Sequence, residues 1–272
     1  MAASATIPNT DIVLRRRGDG VNAVVFVHGF LDDQYAWNPV LRDLSAPGFE
    51  TIQFDQAGFG DHPEPSRPIN FDLFVGDLVA VIDAIDKPFV LVGHSMAGPI
   101  VELAAAARPA RALGLVLLAP IPMVGPQLPD EFMEVFGSVE TYLSTRRQAA
   151  PSTPDAELDR IAASAAKRRP EFLRAAADMW NIGHPDGEKP SQFAGPVLIL
   201  SGADDQFITP TVVASAVSAR FDSANSTVIE IDQASHWPHV ERPFAVAEQI
   251  NRFLARDLAS DASQTRSSRA GL

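Results

Sequence analysis

Ala23-Val24-Val25-Phe26-Val27 is apolar at every position. A strand with one wet face alternates polar and apolar residues, so an unbroken run belongs in a sheet covered on both sides. The pattern recurs at Phe89–Val92, Leu113–Ala119 and Pro196–Leu200, with further strands at Phe49–Phe54 and Thr227–Ile231. Between them lie stretches of helical period. From Asn70 to Asp86, Phe71, Phe74, Val75, Leu78, Val81, Ile82 and Ile85 form one apolar stripe, with Asn70 placed as N-cap. Trp37–Leu44, Met96–Arg108, Thr211–Arg220 and Pro243–Leu258 read as helices too, Pro99 falling harmlessly in a first turn. Strands alternating with helices predict an α/β fold with a mostly parallel sheet and helices on both faces. Asp11–Arg17 reads as an exposed edge strand whose three arginines form a solvated face.

One stretch breaks the rhythm. Between Ala119 and Pro196 the sequence is helical and proline-punctuated, with candidate helices near 130–148, 155–168 and 170–181. A segment this long is too large for a connector. The expected organisation is therefore a core of 1–120 and 196–258, a helical lid of 121–195 inserted before the penultimate strands, and a disordered tail of 259–272. The lid would cover the C-terminal edge of the sheet, where α/β proteins bind ligands. Phe132, Met133, Phe136 and Trp180 either line a pocket there or pack the lid onto the core.

Composition narrows the chemistry. With 22 basic and 34 acidic residues the formal net charge is −12, which argues against nucleic acid or an anionic membrane as partner. The absence of cysteine excludes disulfides, a thiolate nucleophile and Cys-ligated zinc. No cofactor or metal is expected, because no His and carboxylate grouping has ligand spacing on one helix face. The N-terminus lacks the pattern of a signal peptide and no apolar run spans a bilayer, so a soluble, cytoplasmic protein is expected.

The chemistry-bearing stretch is Gly93-His94-Ser95-Met96-Ala97-Gly98, where an apolar strand turns abruptly into a helix. Small residues let the turn tighten, lifting Ser95 Oγ clear of the sheet and leaving the Met96 N–H to face a developing oxyanion. A serine hydroxyl needs a base, and the base an orienting group. Later strand ends offer Asp204 and Asp205 after Leu200, and His236 and His239 after Ile231.

With His28-Gly29-Phe30-Leu31 after an early strand, Asp55 with Gly58-Phe59-Gly60, the Ser95 turn, Gly202 with Asp205, and His236 to Pro243, the chain resembles the α/β-hydrolase superfamily over roughly residues 10 to 258. It is most like the lidded serine esterase, lactonase and C–C hydrolase kind. The resemblance implies Ser95 as nucleophile, His236 as general base and then acid, and Asp205, three residues after its glycine, as the orienting acid. It adds the Phe30 N–H as the second oxyanion donor beside Met96. His28 and His94 are expected to be structural, His62 and His184 solvated, and Asp32 and Asp33 solvated at the mouth of the site. Alanine at position 57 and histidine at 62 depart from the family pattern in a loop of structural role. Serine at the turn argues against dehalogenase and epoxide hydrolase chemistry, which uses aspartate there.

A serine hydrolase cleaving an apolar or aromatic carboxylic ester or lactone is the function implied. Leu31, Ile121, Met123, Phe207, Ile208 and Trp237 flank the motifs and, with Phe132, Phe136 and Trp180, are the candidate pocket residues. Two other classes resemble the same scaffold. Cofactor-free dioxygenases carry an acid after the strand preceding the lid, where this chain reads Leu118-Ala119-Pro120-Ile121-Pro122. Haloperoxidase-like perhydrolysis needs the same three residues, and ligand-sensing members keep them without turnover.

Overall fold

The computed structural model describes residues 3–255. Eight strands form one sheet: β1 (Ala3–Thr6), β2 (Val13–Arg17), β3 (Asn22–Val27), β4 (Phe49–Gln53), β5 (Phe89–His94), β6 (Ala112–Leu118), β7 (Val197–Gly202) and β8 (Ser226–Ile231). Their spatial order is β1-β2-β4-β3-β5-β6-β7-β8. From β4 to β8 every pairing is parallel, whereas β2 runs antiparallel to both β1 and β4. Asp11–Arg17 is therefore not the edge. That place belongs to β1, whose four residues are all exposed and carry no hydrophobic pattern to announce a strand.

The unbroken apolar runs fill the middle of the sheet, and side-chain alternation divides them between two cores. Val25, Val27, Leu91, Leu115, Leu117 and Ile199 face α2 (Phe71–Ile85) and α3 (Ala97–Ala107). Val24, Phe26, Val90, Val92, Val116, Leu118, Leu198 and Leu200 face α1 (Asn38–Asp43) and the helix over 243–255. Burying one such side chain stabilises by about 1.5–3 kcal/mol, so a polar substitution at either phase is costly. Asn70 caps α2 by accepting from the Leu73 N–H at 2.9 Å. Thr211–Arg220 is less regular than its periodicity suggests: the turn begun at Pro210 passes through a π turn and ends as a 3-10 turn.

Between β6 and β7 lie four helices, α4 (Asp130–Gly137), α5 (Val139–Ala149), α6 (Asp155–Ala165) and α7 (Pro170–Ile182). The helix expected over 130–148 is divided by Ser138, whose extended backbone and side chain cap α5 through the Thr141 N–H. No helix among the described residues is long and apolar enough to cross a membrane. The tail expected to be disordered, 259–272, and the last turn of the helix to Leu258 lie outside the described residues.

Candidate active site

Ser95 sits between β5 and α3 with φ +52, a left-handed backbone that a non-glycine residue adopts only under strain. Its surroundings hold it there. The Ser95 N–H donates to the Leu118 carbonyl at 3.0 Å, and its carbonyl accepts from Gly98 and Ile121. A side chain at Gly93 would meet the Ala97 carbonyl oxygen at 2.7 Å, and one at Gly98 would meet Pro120 at 2.6 Å. The turn closes only because those residues are small.

The loops after β7 and β8 reach the same spot. His236 Nε2 lies 2.8 Å from Ser95 Oγ, and His236 Nδ1 lies 2.8 Å from Asp205 Oδ2. Ser95, Asp205 and His236 are all buried. The other oxygen of Asp205 accepts from the Phe207 and Ile208 N–H groups at 2.8 and 2.9 Å. Burial pushes the Asp205 carboxyl up, but His236 and these two amides outweigh it and hold the group below the ordinary range. Asp204 makes no such contact with the imidazole; its N–H donates to the Ala234 carbonyl. Glu241 fixes the loop before His236, accepting from the Ser235 N–H and hydroxyl at 2.9 and 2.8 Å. A serine, an imidazole and a carboxylate in this line can transfer the hydroxyl proton to the ring and stabilise the resulting imidazolium. Among the described residues neither the Phe30 nor the Met96 N–H donates to a protein acceptor, which leaves both amides able to bind an anion.

Two further histidines pack behind the imidazole. His94 Nε2–H donates to the His236 carbonyl at 2.8 Å. Burial, then the neighbouring His236, lowers the His94 pKa to about 3. His239 stacks between Trp37 (4.9 Å between centroids) and His94 (4.3 Å), and burial lowers its pKa as well. His28 accepts the Gln56 N–H on Nε2 at 3.0 Å, tying the Phe30 loop to the loop after β4. Asp55 does the same from the other side, accepting from the Gln34 and Asp61 N–H groups. The loop residues of the Asp55–Gly60 turn thus brace the loop that bears Phe30.

Asp32 and Asp33 are not solvated. They are buried and paired with arginines of the inserted helices, Asp32 with Arg146 of α5 at 2.6 Å and Asp33 with Arg160 of α6 at 2.6 Å. Arg146 is wholly buried, pairs also with Glu157, and lies 4.8 Å over the Trp237 ring. The Tyr142 hydroxyl donates to the Phe30 carbonyl at 3.3 Å. The partners of Asp32, Asp33 and the Phe30 carbonyl stand more than a hundred residues away in sequence, so no local pattern announces them.

A cavity of about 500 Å³ opens on Ser95 and His236. Phe132, Phe136, Trp180, Phe207 and Trp237 line it, joined by Phe30, Leu128, Val135, Tyr142, Thr145 and Arg146. Leu31, Ile121, Met123 and Ile208 do not. Leu31, Ile121 and Ile208 are buried in the core beneath, as is the Met96 side chain, and Met123 is buried beside a separate pocket with Glu102 and His184. Phe136 joins edge-to-face with Trp180 at 4.8 Å and Phe207 with His236 at 4.9 Å, so the walls are largely aromatic.

Asp32, His94 and His239 place one ligand atom each within 4.8 Å of one another. Sequence spacing hides this set, since the loop after β3, the end of β5 and a short helix after β8 supply it. Arg146 already compensates the Asp32 charge, and its guanidinium so close by works against a cation. The set therefore fits a dry structural cluster better than a metal centre.

A sequence model described as "Alpha/beta hydrolase family" matches residues 24–249. The AB hydrolase superfamily protein YfhM of Bacillus subtilis (strain 168) is 24% identical over 258 residues, covering 85% of this chain and 89% of that protein. Among solved structures, the bromoperoxidase from Bacillus anthracis aligns with a TM-score of 0.79 at 22% identity, over 93% of this chain and 99% of the other. A thermophilic esterase from Thermogutta terrifontis aligns with a TM-score of 0.71 at 22% identity, over 93% and 98%.

Proposed function

The chain belongs to the alpha/beta hydrolase family, and within it we propose that the protein is a serine hydrolase that cleaves a carboxylic ester or lactone. The observation that carries this reading is the pair of 2.8 Å contacts that joins Ser95, His236 and Asp205 in one line. Ser95 Oγ attacks the substrate carbonyl while His236 Nε2 takes its proton, and Asp205 stabilises the imidazolium. The oxyanion is received by the Phe30 and Met96 N–H groups. The imidazolium then protonates the leaving alkoxide, giving the acyl-enzyme. Water, deprotonated by the same imidazole, attacks the acyl carbonyl and releases the acid, restoring Ser95. In a lactone the alcohol and the acid leave as one hydroxy acid.

The aromatic walls favour an apolar or aromatic group, and about 500 Å³ suits a small organic acyl or alcohol moiety. In this reading α4–α7 serve as the lid: α5, through Tyr142 and Arg146, seats on the loop that bears Phe30. Thermogutta terrifontis esterase shares the fold, which agrees with ester chemistry without specifying a substrate. Treatment with a fluorophosphonate, followed by peptide mapping, should place one adduct on Ser95, and Ser95→Ala should lose hydrolysis of activated esters by orders of magnitude. An adduct elsewhere, or a Ser95→Ala variant with wild-type turnover, overturns the proposal.

A further inference from the structure

The three consecutive arginines of β2 are split by the strand. Arg16 turns to Glu50, bonding it through Nε at 2.7 Å and Nη2 at 2.8 Å, and Lys87 reaches the same carboxylate at 2.8 Å. Arg15 and Arg17, two residues apart and so on one face, meet different company. Together with Arg42 of α1, Arg160 of α6 and Tyr35 they line a groove of about 570 Å³ that Arg16 also borders. The Tyr35 ring carries the Arg15 guanidinium at 4.6 Å and the Arg160 guanidinium at 5.8 Å.

The charges of this groove are not balanced from within. Arg160 is paired with Asp33, and Glu157, the one carboxylate of the lining, is taken by Arg146. Among the described residues Arg15, Arg17 and Arg42 enter no salt bridge, although the chain as a whole is acidic, with a formal net charge of −12. Two guanidinium nitrogens at the groove, Arg15 Nη1 and Arg160 Nη2, are buried without any hydrogen-bond acceptor. A buried N–H without an acceptor is costly, and clustered like charges add to that cost unless an anion answers both. Guanidinium forks match the paired oxygens of phosphoryl groups, and three unanswered cations call for more than a single negative charge.

We propose that this groove binds a small, multiply charged phosphate of the diphosphate class, held between the core and the inserted helices. Arg15 and Arg17 come from the sheet, Arg42 from α1 and Arg160 from α6, so the bound anion clamps α6 onto the core. The same helix carries Glu157, the partner of Arg146, which lines the cavity above Ser95. The groove is thereby coupled to the cavity through the Glu157–Arg146 ion pair. Occupancy of the groove does not depend on the hydrolase reading, and its test needs no catalysis.

Calorimetric titration of the intact protein with pyrophosphate, at matched ionic strength, should give saturable binding to one site, with a parallel rise in thermal midpoint. The double variant Arg15→Gln/Arg42→Gln should bind about tenfold or more weakly, which corresponds to a loss of about 1.4 kcal/mol. Each residue stands at the surface of the groove, and Arg42→Gln alone should already weaken binding should the double variant fold poorly. Arg108→Gln, which removes a partner of Asp83 away from the groove, should bind as the wild type does. Absence of saturable binding, or equal affinity in wild type and both groove variants, overturns the site. Tighter binding of citrate than of pyrophosphate overturns its assignment to phosphate.

Discussion

Arg146 of α5 donates to Asp32 at 2.6 Å, and neither side chain has any exposure. The pair fastens an inserted helix to the loop that carries Phe30, directly beside the Trp237 ring. A buried pair contributes little net stability, because desolvation offsets the attraction, but losing one partner strands the other. Arg146→Met leaves Asp32 and Glu157 buried and uncompensated, and is expected to cost about 3–5 kcal/mol, read from the urea unfolding midpoint. Adding Asp32→Asn and Glu157→Gln to that variant should recover most of the loss. A triple variant no more stable than Arg146→Met would show that the cost lies in packing over Trp237 instead.

Glu157 brings a pH dependence of its own. Burial raises its carboxyl from 4.5 to about 7, against the pull of Arg146. Between those two values the folded protein holds a proton that the unfolded chain releases. The Glu157 contribution to the unfolding free energy therefore falls as pH rises from 4.5 through 7, whereas His94 and His239, kept neutral by burial, contribute stability that grows as pH rises toward 6.5. Asp205 works in the opposite sense at lower pH, since its carboxyl is held below the ordinary 3.8 and its contribution is lost as the medium becomes more acid. In denaturant melts at pH 5 and pH 7.5, Glu157→Gln should shift the difference in stability between the two pH values toward pH 7.5 relative to the wild type. An unchanged slope in the variant would assign the effect to another group.

Asp205→Asn is expected to lower kcat by about 10⁴ with the fold intact. The oxygen of the new amide remains with the Phe207 and Ile208 N–H groups. Its NH₂ then faces His236 Nδ1 and forces the proton onto Nε2, where Ser95 needs an acceptor. Asp204→Asn, by contrast, should keep near wild-type turnover. Steady-state assays on an activated ester separate the two, and equal effects would remove Asp205 from its orienting role.

Tyr142→Phe tests whether an inserted helix positions the Phe30 peptide. Burial raises the phenol pKa, so the hydroxyl stays protonated and remains a donor to the Phe30 carbonyl. Removing one hydrogen bond is worth about 0.5–1.5 kcal/mol, or roughly two- to tenfold in rate. The loss should fall on kcat with KM little changed, because the phenol bonds the loop and not the substrate. A change confined to KM would make Tyr142 a wall of the cavity only.

Much of the architecture is legible in the sequence. Continuous apolar runs such as Ala23–Val27 specify central parallel strands, and strand ends then dictate that Ser95, Asp205 and His236 share one edge of the sheet. What escaped the sequence was set by distant partners. Ala3–Thr6 has no apolar pattern, because as the outermost strand it has nothing to cover. Asp32 and Asp33 look like loop acids until Arg146 and Arg160 arrive from the insertion. Leu31, Ile121 and Ile208 adjoin the motifs in sequence, yet backbone direction at those points sends them down into the core, and Met123 lines a separate pocket. Leu31, with φ +61, follows Phe30 through a left-handed turn that separates the two neighbours. Chemical type was readable from position along the chain. Which wall a side chain faces was not.

The bond from His94 to the His236 carbonyl has a consequence for how the site tolerates change. The residue preceding Ser95 grips the main chain of the very histidine that Ser95 meets, so the Ser95 and His236 side chains hang from one ring closed through the His94 imidazole. The ring fixes the main-chain separation from which both side chains reach. Sequence drift in the loop after β8 can therefore reshape the cavity wall while the hydroxyl and imidazole keep their distance, provided the carbonyl at position 236 retains its donor.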